Sequence, residues 1–442
     1  MRAAGAAGAS DAEAYVEDSR GLELRVYEDE VESLSESVAR GVGVRAWLHS
    51  RSGYAYGTDL SEEGLKAIGE AAVGAAGVAD EDKYAAPPDP GGVAEPIDGI
   101  ADPATDEWTT EHKVELAREI ERSSRAADER VEVIEETIYA DESERVAIAS
   151  TRGAEGAFEA TTAYAFLHAI AVEDGDRQTG LGFGLGRSPA DLDAGAIGRE
   201  ATDRATALLG AAKPKSRTCA VVLDTTVAAS FAGFIGAMLS ADTVQRGRSP
   251  FAGRLGERIG SDPLTLTDDG RDPGGLASSP FDGEGTPRGR TPLIEDGELA
   301  NYLHDSYTAR REGAGTRSTG NAGRAGYRSP PAVGTSNLVV AAGEASLDEL
   351  LAEAGDGVYV TDVAGLHSGV NPVSGQFSVG ATGILIEDGK LAEPANEFTI
   401  ASDLVAMLTA VRAAGAEARW VPFGGSVKTP PLLIGQMSVG GV

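Results

Sequence analysis

From Thr218 onward the chain offers one long uncharged stretch of helical character, Val227 to Ser240 (VAASFAGFIGAMLS), among short apolar runs that end in glycine-rich turns. A helix that is apolar on all sides must be covered on all sides. The runs Leu338–Ala342, Gly357–Thr361, Thr382–Glu387 and Leu391–Pro394 read as strands, and Glu387-Asp388-Gly389-Lys390 reads as a tight hairpin. Glu295-Asp296-Gly297-Glu298 has the same pattern of strand, acidic-Gly turn and strand. Residues 216–442 are therefore expected to form a β-rich C-terminal domain around one long buried helix. That helix is rich in Ala, Gly, Ser and Thr and falls short of the roughly 20 apolar residues of a membrane span.

Upstream the pattern changes. Leu22-Leu24-Val26 and Val42-Val44-Ala46-Leu48 alternate apolar with polar residues, as strands with one wet face do, and a helix is expected near 61–78. The Pro-, Gly- and Asp-rich segment 85–106 reads as a linker or surface loop. Thr110 is placed to cap a helix carrying Leu116, Ile120 and Ala127, and strands are expected at Val131–Tyr139, Val146–Ser150 and Glu159–Val172. Ser188-Pro189 forms a cap and first-turn pair for a helix that buries Leu192, Ile197, Ala201 and Leu208. Before it, Gly180–Gly186 (GLGFGLG) has glycine at every second position. That spacing fails the G-x-G-x-x-G dinucleotide fingerprint and reads as a Gly-edged strand. Ala211–Arg217 (AAKPKSR) is the expected boundary, so the fold class is α+β: an N-terminal mixed α/β domain over 1–215 and the β-rich domain over 216–442.

Charge limits the partners. Seventy acidic against 38 basic residues give a formal net charge of -32. Such a surface repels polyanions, so neither nucleic acid nor an anionic membrane is an expected partner. The acid excess, with scarce lysine, is what a salt-adapted protein of a halophilic archaeon would show. A single cysteine, Cys219, excludes a disulfide framework, and its place in the apolar run CAVVL suits core packing. The opening MRAAGAAGASDAEAY has no leucine-rich core of a secretory leader, so the expected compartment is the cytoplasm.

The five histidines, His49, His112, His168, His304 and His367, include no pair within one helical turn. Asp282-Gly283-Glu284-Gly285 sets two carboxylates two residues apart, a spacing open to cation binding or acid–base work but also to a purely structural loop. The densest group of donors is Tyr302, His304, Asp305, Tyr307, Arg310 and Arg311, followed by Ser318, Thr319, Asn321 and Arg324 beside flexible glycines. Hydroxyl, amide and guanidinium groups in that company could hold a peptide backbone or a terminal carboxylate. They could equally brace the edge of a β domain.

The run Ser279–Gly326, with Arg45-Ala46, Gly53-Tyr54-Ala55, Ala149–Gly153 and the closing Gly425-Ser426-Val427, resembles the TldD/PmbA family, and its PmbA (TldE) branch more than its TldD branch. The resemblance implies zinc-dependent peptide cleavage in catalytic members, whose metal sits on an H-E-x-x-x-H helix and a cysteine near the chain end. Here Gly233, Phe234 and Met238 stand at the three helix positions and Ser426 at the position nearest the third ligand. None is a zinc donor of the usual nitrogen, thiolate or carboxylate kind. The resemblance thus implies a chain without catalytic residue, metal or cofactor of its own, a non-catalytic subunit paired in a heterodimer with a zinc-carrying TldD-type protein and acting on peptides or unfolded proteins. A stand-alone peptide-binding or regulatory homodimer is the alternative. Modulation of a DNA topoisomerase is a third reading, which the acidic surface disfavours.

Overall fold

The computed structural model describes residues 1–89, 92 and 94–442. A short helix α1 (Arg2–Ala6) precedes a long hairpin of β1 (Asp11–Tyr27) and β2 (Glu30–Leu48), then β3 (Arg51–Gly57) and α2 (Glu62–Val78). Helix α3 (Thr110–Ala127), strands β4 (Val131–Ser150), β5 (Glu155–Glu173) and β6 (Asp176–Gly186), and helix α4 (Ala194–Thr206) follow. The six strands make one antiparallel sheet in the order β3-β2-β1-β4-β5-β6. Period-two alternation gives each face its own cover. Leu22, Leu24 and Val26 pack with Ile120 of α3 and Ile197 of α4, whereas Tyr15, Val146 and Ile148 on the other face meet Phe281 and Tyr327 from the C-terminal half.

The second half begins with β7 (Arg217–Leu223), α5 (Thr225–Met238), α6 (Ala241–Gln245), β8 (Leu266–Asp269), β9 (Arg290–Glu295) and β10 (Glu298–Leu299). Next come α7 (Ser306–Glu312), the two-residue pair β11 (Ala322–Gly323) and β12 (Ala332–Val333), β13 (Asn337–Val340), α8 (Leu347–Ala354) and β14 (Gly357–Ala364). It closes with α9 (Leu366–Gly369), β15 (Gln376–Glu387), β16 (Lys390–Asp403), α10 (Leu404–Thr409), β17 (Val411–Ala414), β18 (Arg419–Val421), β19 (Ser426–Thr429) and β20 (Leu432–Gly440). Two six-stranded sheets result, β10-β9-β8-β13-β19-β18 and β16-β15-β14-β7-β20-β17, the second drawn round by an added β16–β20 pairing. The architecture is α+β, as expected. Helix α5 touches strands of both sheets, and Val227, Phe231, Ile235 and Met238 are buried with Leu338 from one and Val360 from the other. Burial of side chains of this kind contributes about 1.5–3 kcal/mol each, which is why an uncharged helix is stable here.

The two acidic-Gly turns behave as the sequence indicates. Asp388 and Gly389, like Asp296 and Gly297, have positive φ (49° and 74°, 46° and 81°), the backbone of a tight hairpin turn. Three expectations need correction. Val131–Tyr139 and Val146–Ser150 are one 20-residue strand, because β4 keeps its pairing with β1 and β5 through the acidic stretch between them. Within that stretch the buried Asp141 is neutralised by Lys113 at 2.6 Å. Thr109, not Thr110, caps α3 by accepting from His112 N. Ser188-Pro189 opens only a single 3-10 turn, Pro189–Asp191, and α4 starts afresh at Ala194 with Asp193 as its cap. Of the expected linker 85–106, residues 90, 91 and 93 lie outside the described residues, and Pro103–Glu107 is a 3-10 turn.

The alternate glycines of β6 acquire a clear purpose. They line the face that meets α4, and a Cβ at Gly180 would stand 2.1 Å from Ala201 O, one at Gly182 2.0 Å from Ile197 O. Helix backbone therefore rests on strand backbone with no side chain between them. At Gly184 the nearest obstacle is only the movable end of Ile197. Gly182→Ala should accordingly destabilise the protein by about 1–3 kcal/mol, and Gly184→Ala by clearly less, in denaturant unfolding; equal costs would contradict this packing.

Candidate functional site

Strand β7 runs straight into α5, and Asp224 between them caps the helix by accepting from Thr226 N at 3.0 Å. Arg204 of α4 (3.1 Å) and the Tyr359 hydroxyl of β14 (2.7 Å) hold the same carboxylate. Burial alone would raise the Asp224 pKa, but these partners, Arg204 foremost, bring it below the usual carboxylate range. The N-terminal and C-terminal halves are thus tied together at the first turn of α5.

Thr226 and Ser230 recur along one face of α5 and open onto a cleft of about 460 Å³. Its other walls are Arg177–Leu181 of β6, Thr361–Val363 of β14, Thr382 of β15 and Phe423. Two strand edges meet there. β6 ends its sheet and pairs only with β5, and β14 loses β7 as a neighbour after Val360. Backbone groups on such open edges are the natural partners of an extended chain.

Phe423 leads to the positions that the family resemblance assigns to zinc. Gly233 lies against the Gly424 carbonyl, and a Cβ there would approach its oxygen to 2.2 Å. Gly424 and Gly425 have φ of 83° and 104°, so the loop reaches the helix through a backbone that favours glycine. Phe234 is half-buried against the core, and Met238 is wholly inside it. Ser426 Oγ accepts from Leu276 N at 3.0 Å. The four positions therefore offer no imidazole, thiolate or carboxylate, and their chemistry does not fit a zinc ion.

The second candidate group lies at the interface of the two halves. Glu13 of the first sheet is buried and Arg45 beside it largely so, with Arg45 at 2.9 Å from Glu13 and 3.0 Å from Glu284. Arg324 pairs with the other Glu13 oxygen, donates to Gly283 O at 2.6 Å and lies over the Tyr15 ring at 4.7 Å. The second Glu284 oxygen accepts from Ser306 N at the start of α7. Burial would raise the Glu284 pKa, but Arg45 and the Ser306 amide pull it below the ordinary value. Asp282 goes the other way. It accepts from the amides of Glu284, Thr286 and Ala322, yet burial, then the Glu284 charge, push it up to about 7. The two carboxylates divide their states, one held charged and one inclined to keep its proton. Every one of these oxygens faces internal partners.

Most of the remaining members of the donor group are likewise engaged, the exception being the His304 ring, whose Nδ1 is buried without a partner. Tyr302 donates to Phe251 O, and Asp305 caps α7. His304 is buried, which lowers its pKa, and its carbonyl accepts from Ser318 Oγ. Thr319 Oγ donates to the Asn321 side chain, which in turn donates to Asp268 at 2.8 Å. Tyr307 donates to Asp82, and Arg310 grips the carbonyls of Tyr84 and Ala86. Tyr307, Arg310 and Arg324 thus reach across to the first half and the other members bond within the second, while the open cleft is lined by Thr226, Ser230, Thr361 and Thr382. Sequence reasoning missed those residues; the spacing of four from Thr226 to Ser230 to Phe234 was their only signal.

Comparison with known proteins gives consistent results. Models of the PmbA/TldA metallopeptidase C-terminal domain, central domain and domain 1 match residues 216–441, 103–209 and 12–76. Metalloprotease PmbA of Escherichia coli O157:H7 is 29% identical over 90% of this chain and 86% of its own length. The metalloprotease TldD homolog of Haemophilus influenzae is also 29% identical, over 91% of this chain and 87% of its own length. Among solved structures, a putative modulator of DNA gyrase from Thermotoga maritima superposes with a TM-score of 0.89 at 26% identity, covering 97% of this chain and 96% of its own. TldE from Thermococcus kodakarensis superposes with 0.92 at 24% identity over 100% and 99%, a likeness of fold.

Arg45→Met would leave Glu13 and Glu284 buried with fewer counter-charges, and a loss of about 3–5 kcal/mol is expected in denaturant unfolding. For Asp282 the folded pKa lies above the unfolded value near 3.8, so its contribution is fully present below that pH and is lost as pH rises through 7. Asp282→Asn should therefore gain stability relative to the wild type between pH 4 and 7.5. A difference independent of pH would show that the carboxyl titrates normally.

Proposed function

The chain belongs to the PmbA/TldA metallopeptidase family, and on that footing we propose that it is a non-catalytic subunit of the PmbA (TldE) branch that works beside a zinc-carrying TldD-type partner. One observation carries this reading: where the family's zinc motif would stand, Gly233 is pressed against Gly424, Met238 is sealed in the core and Ser426 is spent on Leu276 N. Its own part is to position peptide. The cleft beside α5, with strand edges on two walls and hydroxyls on a third, suits an extended backbone held without regard to its side chains. Open strand edges of this kind favour unfolded or small peptides, whose backbone is free to pair, over a folded surface. The acid-rich composition supports a salt-adapted cytoplasmic setting, and no helix among the described residues is long and apolar enough to cross a membrane.

The test uses the full chain alone and mixed with a TldD-type relative, with zinc measured by elemental analysis and cleavage followed on an unfolded protein. Zinc and cleavage are expected only in the mixture, with both chains eluting together. Stoichiometric zinc and turnover by the lone chain would refute the proposal. A lone chain that forms a stable self-pair and binds peptide uncleaved would favour the homodimer alternative.

A further inference from the structure

A groove on the outer face of the first half combines an indole with several carboxylates. It holds about 630 Å³ between the 3-10 turn Pro103–Glu107 and α3, and its wall consists of Ala104, Glu107, Trp108, His112, Glu115, Leu116 and Glu119. The acidic-aromatic make-up distinguishes it. It joins a tryptophan to three glutamates with no lysine or arginine in the wall, whereas the cavity beside Asp102 includes Arg20 and Arg145 and the cleft beside α5 includes Arg177 and Arg204. Trp108 and Leu116 are only half-buried, and Glu107, Glu115 and Glu119 are exposed around them.

The cation that pairs with the rim does not cancel that charge. Arg122, one turn further along α3, is shared by Glu115 (2.7 Å), Glu119 (3.8 Å) and Asp29 (3.0 Å), so three carboxylates draw on one guanidinium. Glu107 has no ion-pair partner among the described residues. An indole with surplus carboxylates at its rim favours a cation that carries apolar surface: the ring attracts the charge, the carboxylates pair with it, and the apolar floor covers the alkyl stem. A metal ion would gain nothing from the floor, and an acidic or neutral chain nothing from the rim. A second copy of this chain, at -32, is repelled.

We propose that the Trp108 groove is a docking site for a polypeptide segment in which lysine or arginine alternates with apolar residues. The stretch of α3 from His112 to Glu119 rises about 10 Å, which accommodates roughly three extended residues. This site is separate from the cleft beside α5 and does not depend on the metallopeptidase reading.

The probe is the tryptophan-free hexapeptide Lys-Leu-Lys-Leu-Lys-Leu, capped at both ends, with Glu-Leu-Glu-Leu-Glu-Leu as control. Both are titrated into the full-length protein in about 1 M KCl, where the Debye length is about 3 Å and general attraction to an acidic surface is screened. Binding is followed by calorimetry and by tryptophan fluorescence. Saturable binding of the basic peptide alone is expected, at least about tenfold weaker in Trp108→Ala. Glu119→Arg, an exposed change that places a cation in the wall, should abolish it while leaving the thermal midpoint unchanged. Equal affinity for both peptides, no saturable binding up to millimolar peptide, or binding that neither substitution alters would overturn the proposal.

Discussion

Glu13, Arg45, Glu284 and Arg324 form an alternating chain of buried charges, and the relation between the two halves of the molecule depends on it. Two come from neighbouring strands of the first sheet and two from loops of the second half, separated by more than 200 positions in sequence. Apolar contact around Tyr15, Phe281 and Tyr327 would hold the halves together in many relative positions. Charged groups are less tolerant, since a small slip leaves a desolvated ion without its partner. The geometry of the α5 cleft follows from this, because β6 forms one wall and β14 another, and they belong to different halves.

Helix α5 is the second fixed point. It is covered by two sheets, capped by an aspartate that α4 and β14 also hold, and approached so closely by the Gly424 loop that position 233 has no space for a side chain. A helix face that seats a metal ion has to project several donors toward a common centre. This face of α5 presents a glycine, a half-buried phenylalanine and two hydroxyls, which make a surface for contact.

Much of this was legible in the sequence, for identifiable reasons. The buried helix showed itself by its lack of charge, the strands of the first sheet by their alternation, and the hairpins by Asp-Gly turns whose left-handed backbone few other pairs adopt. The errors fell where a long-range contact or an alternative local cap overrode the apparent pattern. The acidic residues inside β4 read as a break because Lys113, which neutralises Asp141, is far away in sequence. Ser188-Pro189 read as a helix start because Asp191 completes a capping box with Ser188, although the turn stops there and Asp193 caps the helix proper. The donor group from Tyr302 to Arg324 was visible as a group, but not its partners, since Asp82, Tyr84, Glu13 and Asp268 arrive from elsewhere in the fold. The cleft was nearly invisible, because it is walled largely by backbone edges and hydroxyls.

The connection between α2 and the 3-10 turn is fastened in a particular way. Arg310 takes hold of it at the carbonyls of Tyr84 and Ala86, and Arg271 at those of Glu95 and Pro96. These oxygens are the same for every amino acid. The identity of the residues at those four anchor points can therefore drift over evolutionary time with little effect on how the strap is moored, whereas loss of either arginine removes two of these bonds at once.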